Sequence, residues 1–308
     1  MPKIKNIFAR PILDSRGEWT VEVEIILNDK RRVVASIPQG KSTGSHEAHY
    51  VGVREAILNV RKIIAPKLRN MDPTRQREID EYLIRIDGTP NKKKLGANSI
   101  LGASIASARA GALVKGIPLW KHIRALSGLT PYAKKGMCLP RLFVNVINGG
   151  SHAGNNLDIQ EYLVIPKAKS FNEGIRIAVN FYQALREELV RIKGPLAANL
   201  GDEGGFAPNF KDNLEPLRVM KNVARKLRLS GKVDFGIDVA ASSISKSSSS
   251  LLPLYVKMKR QFGISYIEDP FNEEKFDDFA KLRAILGKGT LVAGDDLTTT
   301  NVSRMDEA

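Results

Sequence analysis

Three acidic residues, Asp238, Glu268 and Asp295, each close a short apolar run. Those runs, at 233–237, 264–267 and 291–294, read as strands, and carboxylates at the ends of neighbouring strands converge on one point. Hard oxygen donors in that arrangement suit a magnesium ion, whose remaining positions are left to water or substrate. Without a cation, three clustered carboxylates repel one another. The alternative is that each acid stands apart and caps the helix after its strand. Upstream, Gln160 and Glu161 precede an apolar run at 162–165, and His152 ends the polar stretch Asn148-Gly149-Gly150-Ser151-His152. Glu203 lies within Asp202-Glu203-Gly204-Gly205, and a carboxyl on a glycine-rich loop can come close to a substrate and give it a proton. His152 taken alone reads first as structural.

The elements that must position these residues occupy 136–308. Strands at 142–147, 162–165, 233–237, 264–267 and 291–294 are separated by helical patterns at 173–192, 214–227 and 273–286. That alternation predicts a βα architecture with a parallel sheet and chemistry at the strand ends. Five strands fall short of the eight, in about 250 residues, that close such a barrel. The expectation is an incomplete βα (TIM-like) barrel, whose open edge needs a covering partner or a homo-oligomer. The serine-rich stretch at 242–250 is predicted to be flexible. Before 130 the texture differs: strands at 4–11, 20–27 and 31–35, a Gly/Ser/Thr loop at 38–45, and helices at 53–67, 73–86 and 97–114. The last helix is rich in Ala, Gly and Ser, as a closely packed helix would be. The chain therefore divides into an α+β cap domain at 1–130, a three-stranded antiparallel sheet plus helices, and a truncated barrel domain at 136–308, giving an α/β class.

Composition narrows the options. The chain has 308 residues with 43% hydrophobic content, enough for two cores. A single cysteine, Cys138, excludes an internal disulfide framework and fits a reducing compartment. The N-terminus has no apolar signal-peptide core, and no apolar run reaches the roughly 18–20 residues of a membrane span. A cytoplasmic location is expected. The net charge of +15 is uneven: residues 1–135 carry 25 basic against 12 acidic side chains, and the remainder 23 against 21. A basic first half could attract anionic metabolites, acidic proteins or nucleic acid, or it could be a solvated surface.

Several long words carry more than spacing does. FARPILDSRGEWTVEVEI, GKSTGSHEA, GANSILGASIA, NVINGGSHAGNNLDIQEYLVIP, NLGDEGGFAPN, GIDVAAS, YIEDPF and AGDDLTTTN together resemble the enolase family, in the family's order and along almost the whole chain. The resemblance implies an α+β cap, a βα (TIM-like) barrel, and the Mg-dependent dehydration of 2-phosphoglycerate to phosphoenolpyruvate, a lyase step of glycolysis. By that match Asp238, Glu268 and Asp295 are ligands of one magnesium, and Ser42 helps bind a second. Glu203 is the general acid with Glu161 beside it, and His152 and Gln160 contact substrate. The resemblance also implies dimers or octamers.

The sequence departs from the family in places. The family's general base is a lysine on a strand after the segment that 295–308 matches, so it has no counterpart here. The family's later histidine, second lysine and phosphate-holding arginine-serine pair are missing for the same reason. Two internal segments are shortened, after Ala48 and at 242–250, and Ser243 stands where the family has an acid. Activity near zero is expected of this polypeptide alone. The alternatives are a non-catalytic protein that binds magnesium and phosphorylated acids, or an interaction protein that uses its basic first half.

Overall fold

Two β-turns and a run of alternating apolar residues organise the first forty positions. In the computed structural model, which describes residues 1–40, 44–128 and 139–308, strands β1 (Ile4–Leu13), β2 (Trp19–Leu27) and β3 (Arg32–Ile37) form an antiparallel sheet in the order β1-β2-β3. The Asp14 carboxylate fixes the first hairpin by accepting from the backbone N–H groups of Arg16 (2.8 Å) and Glu18 (2.9 Å). One face of the sheet buries Ile7, Ala9, Val21, Val23, Ile25 and Ala35. Against the sheet lie helices α1 (Val53–Asn59), α2 (Ala65–Leu68) and α4 (Ala97–Lys115), while α3 (Gln76–Asp87) and α5 (Leu119–Leu126) pack on α4.

The helix expected at 53–67 is interrupted by a π turn, Val60–Ile64, between α1 and α2. The wide turn falls directly before Pro66, which has no N–H to offer an i→i−4 ladder. The small-residue helix α4 packs closely, as expected. A Cβ on Gly102 would stand 2.5 Å from the Val23 side chain, so glycine there sets how near α4 comes to β2. These elements belong to the first of two compact units, Met1–Met137; the second is Cys138–Ala308.

The second unit carries strands β4 (Val144–Asn148), β5 (Glu161–Pro166), β6 (Val233–Asp238), β7 (Tyr266–Glu268) and β8 (Leu291–Ala293) in one sheet, ordered as in sequence. Its helices are α6 (Phe171–Lys193), α7 (Glu215–Lys226), α8 (Ser248–Phe262), α9 (Phe276–Leu286), α10 (Asp295–Thr298) and α11 (Val302–Glu307). The expectation of a parallel sheet is wrong for its first half: β4–β5 and β5–β6 pair antiparallel, and only β6–β7 and β7–β8 are parallel. The reason is parity. A single helix between two strands carries the chain back to its starting end and returns a parallel strand. A loop without a long helix joins β4 to β5, and two long helices, α6 and α7, join β5 to β6, so direction reverses each time.

The serine stretch also differs from expectation. Residues 241–243 form a 3-10 turn, and Ser248–Ser250 are the first turn of α8 with Ser247 as its N-cap. Serine is favoured at a helix start, where its small polar side chain competes for backbone groups. Among the described residues no single helix is long and apolar enough to cross a membrane.

Asp87 is a buried acid that ties the first unit together. Its carboxylate accepts from the backbone N–H of Thr89 (2.9 Å) and Leu95 (2.7 Å), and from the Thr89 hydroxyl. Burial pushes its pKa up, but the hydrogen bonds from Thr89 and Leu95 outweigh it and hold the carboxyl below its ordinary value. A depressed carboxylate stabilises above its unfolded pKa and loses that contribution as pH falls through the folded one. Asp87→Ala is expected to cost about 1–3 kcal/mol at neutral pH by leaving buried N–H groups unpaired. Urea unfolding should show this penalty shrinking below about pH 4.

Candidate active site and metal centre

The register of the second sheet lays one row of polar side chains across four of its strands. Asn148 on β4 lies opposite Glu161 on β5, Glu161 opposite Asp238 on β6, and Asp238 opposite Glu268 on β7. Neighbours in one row share a face at roughly 5 Å spacing. Glu161 begins its strand whereas Asp238 and Glu268 end theirs, so the antiparallel β5–β6 pairing is what brings the three to one end of the sheet.

Two groups of donors form there. Oxygens of Asp238, Glu268 and Asp269 lie within 4.8 Å of one another, as do donor atoms of His152, Glu161 and Glu203. In the first group, Gln160 Nε2 donates to Asp238 Oδ2 (3.2 Å), and the Ala240 N–H donates to Asp238 Oδ1 (3.0 Å). The Tyr266 hydroxyl donates to Glu268 Oε2 (2.5 Å). Burial, then the charges of Glu268 and Asp269, push Asp238 up to about 8. Glu268 is also raised, chiefly by burial, against the opposing hydrogen bond from Tyr266. Buried carboxylates pushed up by one another form a hard oxygen set that lacks a counter-charge, and a divalent cation fits it.

Asp295 was expected in this group, and the structure does not place it among the three clustered acids. It is the first residue of α10, and its charge raises Glu268. Asp269, which the sequence reading passed over, takes the clustered place. Its Oδ2 accepts from the N–H groups of Asp295 (3.2 Å) and Asp296 (2.9 Å), and its Oδ1 from Leu297 (3.4 Å), so it caps α10. Burial pushes it up to about 7 even so. The helix-capping role weighed for the strand-end acids thus belongs to a neighbouring residue. Asp269 (φ +38°) and Ala240 (φ +47°) both hold left-handed backbone immediately beyond acid-bearing strands, a conformation that costs about 1–3 kcal/mol for a residue other than glycine.

In the second group, His152 Nδ1 lies 2.8 Å from Glu203 Oε1. Asn148 Nδ2 (3.2 Å) and Asn145 Nδ2 (3.4 Å) donate to Glu203 Oε2. Glu161 and Glu203 are hydrogen-bonded to each other. Burial, the bond to Glu203 and its charge, and then the charges of Asp238 and Glu268, drive Glu161 far above the ordinary carboxyl range. For Glu203, burial opposes ionisation but is outweighed by its bonds with Glu161, His152 and Asn148, which hold it low. The two carboxyls are therefore shifted in opposite directions, the pattern of a hydrogen-bonded pair that shares a proton.

The loop bearing Glu203 is pinned to β4. The Phe206 N–H donates to Val146 O (3.0 Å), the Asn148 N–H to Phe206 O (3.0 Å), and the Gly205 N–H to Asn148 Oδ1 (2.9 Å). Asn145 and Asn148 were not singled out from sequence; their two-residue-plus-one spacing within an otherwise apolar strand was the available signal. Ser42 lies outside the described residues.

Comparison with known proteins agrees with the words quoted above. The family model described as "Enolase, N-terminal domain" matches residues 4–123. "Enolase, C-terminal TIM barrel domain" matches 136–250 and 243–308, breaking at the serine stretch. A curated protein named Enolase from Methanopyrus kandleri is 42% identical over 331 aligned positions, covering 99% of this chain and 76% of that protein. Enolase from Mastigamoeba balamuthi is 40% identical, over 100% of this chain and 77% of its own length. Enolase 2 of Hevea brasiliensis is also 40% identical, over 99% and 76%. The chain thus spans about three-quarters of the length of these relatives, and the alignments run over more positions than it has residues, so the relatives carry internal segments that it lacks.

A carboxyl with a raised folded pKa stabilises fully below its unfolded pKa and loses that contribution as pH rises through the folded one. With Asp238 at about 8 and Asp269 at about 7, metal-free protein should lose thermal stability as pH rises from about 5 to 8. Added magnesium should restore it, more so at the higher pH, because it binds the ionised set. Asp238→Asn should raise the metal-free melting temperature at the alkaline end and remove the magnesium response. A second measurement concerns Gly205, where a Cβ would stand 2.7 Å from Asn148 Oδ1 and 2.8 Å from Asn148 N. Overpacking of that kind costs about 1–3 kcal/mol, so Gly205→Ala should lower the denaturant midpoint accordingly.

Proposed function

Because the chain belongs to the enolase family, we propose that it binds 2-phosphoglycerate with magnesium and supplies the acid half of the dehydration to phosphoenolpyruvate. The observation that carries this is the hydrogen-bonded Glu161–Glu203 pair, with Glu161 in the same register row as the cation-fitting Asp238 and Glu268. Asp238, Glu268 and, by its match to the family, Asp295 are the cation's ligands, and Ser42 serves a second ion. When bound, the cation stabilises the negative charge that develops on the substrate carboxylate as the adjacent proton leaves.

The remaining steps fall to the chain's own residues. Hydroxide is a poor leaving group and must depart as water, so it needs a proton. Glu161 holds that proton, and Glu203, hydrogen-bonded to it on a loop fixed by Asn148, passes it to the substrate 3-hydroxyl. His152 orients Glu203 through Nδ1 (2.8 Å). Its buried Nε2, without a hydrogen-bond partner among the described residues, is free to contact substrate. Gln160 orients Asp238 and borders the same space.

Among the described residues no lysine forms a hydrogen bond or ion pair with Glu161, Glu203, Asp238 or Glu268. None of the site's described residues is assigned as the general base, a role that contributes roughly 10²–10⁴-fold. The edge strand β8, with Leu291 half-exposed, is the surface where a partner or second copy would cover the sheet. Light scattering of a purified sample checks that, and a strictly monomeric, soluble species would contradict it.

Calorimetry should detect magnesium-dependent binding of 2-phosphoglycerate that Asp238→Asn abolishes. A coupled assay for phosphoenolpyruvate should register a rate at least about 10²-fold below that of a complete enzyme. Absence of binding at any magnesium concentration overturns the proposal, and an ordinary enzymatic rate overturns its incomplete-base component.

A further inference from the structure

A cavity of about 470 Å³ opens in the second unit where α8 and α9 begin. It is built partly from the serine stretch at which the family match breaks, and none of the residues that line it belongs to the acid groups described above. Three ammonium groups line it, those of Lys246, Lys275 and Lys281. Lys246 is paired with Asp158 (2.6 Å) and Lys281 with Asp278 (3.2 Å). Lys275 makes no ion pair among the described residues. Asp278 is the one acid in the lining, so the cavity holds a net positive charge.

The floor has a different chemistry. Leu251 and Phe271 are buried and, with Leu252, present an apolar surface beneath the lysines. Ser247, Ser248 and Ser249 also line the cavity, the Ser247 and Ser249 hydroxyls hydrogen-bonded to each other (2.9 Å) and that of Ser248 to Asp278, and the first turn of the fifteen-residue α8 adds a partial positive charge there. A cavity of this volume suits a small organic ligand rather than a polymer. Its cations are lysines, which act as point charges suited to a dianion, and it has no arginine fork to match a planar carboxylate.

We propose that this cavity is a binding site for a small phosphomonoester. Lys275 and Lys281 hold the phosphate, the serine hydroxyls complete its hydrogen bonds, and the organic part rests on Leu251, Leu252 and Phe271. Asp278 opposes the ligand and weakens its hold by competing for Lys281.

Phenyl phosphate is the probe, titrated by calorimetry into the full chain with EDTA at about pH 8, where the phosphate is dianionic. Saturable one-site binding is expected, about tenfold tighter than inorganic phosphate, which lacks the apolar part, and tighter than benzoate, which lacks the second charge. Lys275→Gln/Lys281→Gln should weaken binding at least about tenfold, the loss of two charge-assisted contacts. Asp278→Asn should strengthen it, and Asp238→Asn should leave it as in the parent. Melting temperatures verify folding. Should the double variant fold poorly, the single Lys275→Gln, at an exposed and unpaired position, is expected to weaken binding several-fold. No saturable binding to the folded parent, parent-like affinity in folded lysine variants, or loss of binding in Asp238→Asn would each overturn the assignment; the last would place the probe at the acid cluster.

Discussion

Buried carboxyls held in one strand register are the constraint around which the second unit is arranged. Glu161, Asp238 and Glu268 occupy successive positions of a single row, with Asp269 and Glu203 drawn in from adjoining loops. Like charges at that spacing are costly to bury, and the fold offsets the cost group by group. Tyr266 serves Glu268, Gln160 and a backbone N–H serve Asp238, three N–H groups serve Asp269, and two asparagines serve Glu203. The partners differ in kind across the site. Around Glu203 they hold the carboxyl low while Glu161 is raised, whereas around Asp238 and Glu268 they fall short of offsetting burial and mutual repulsion, which a cation would relieve.

Strand direction matters as much as residue type. Had β5 run parallel to β6, Glu161 would lie at the far end of the sheet from Asp238, and no proton could pass between the acid groups. The two helices between these strands fix the direction, and the short β4–β5 connection returns β4 so that Asn148 meets Glu161. Ala240 and Asp269, at the same end, hold left-handed backbone that is costly for residues other than glycine.

After β6 the match to the family breaks at the serine stretch. The chain leaves Ala240 through one 3-10 turn and enters α8 on serines, so the helix that returns the chain to β7 is kept. A positively charged cavity remains beside the start of that helix, separate in chemistry from the acid row. In the first unit, by comparison, small residues carry the packing: Gly102 and the alanines of α4 permit a close approach to β2 that larger side chains would forbid.

Much of this was legible in the residues. Alternation and helical periodicity placed the strands and most long helices to within a few positions, because those patterns report which face each element buries, but the fifteen-residue α8, which begins in the serine stretch, was missed. The quoted motifs identified the family, and Asp238, Glu268, Glu161, Glu203, His152 and Gln160 were singled out from type and context. What one dimension could not display was which side chains meet. Asp269 joins Asp238 and Glu268 in the clustered set, and its carboxylate accepts from backbone N–H groups of α10, a contact between segments 26 residues apart. Asn145 and Asn148 became partners of Glu203 only once a glycine-rich loop folded onto β4. The opposite shifts of Glu161 and Glu203 were likewise set by tertiary structure, since burial and neighbouring charge, which depend on everything packed around a group, decide what its own side chain cannot.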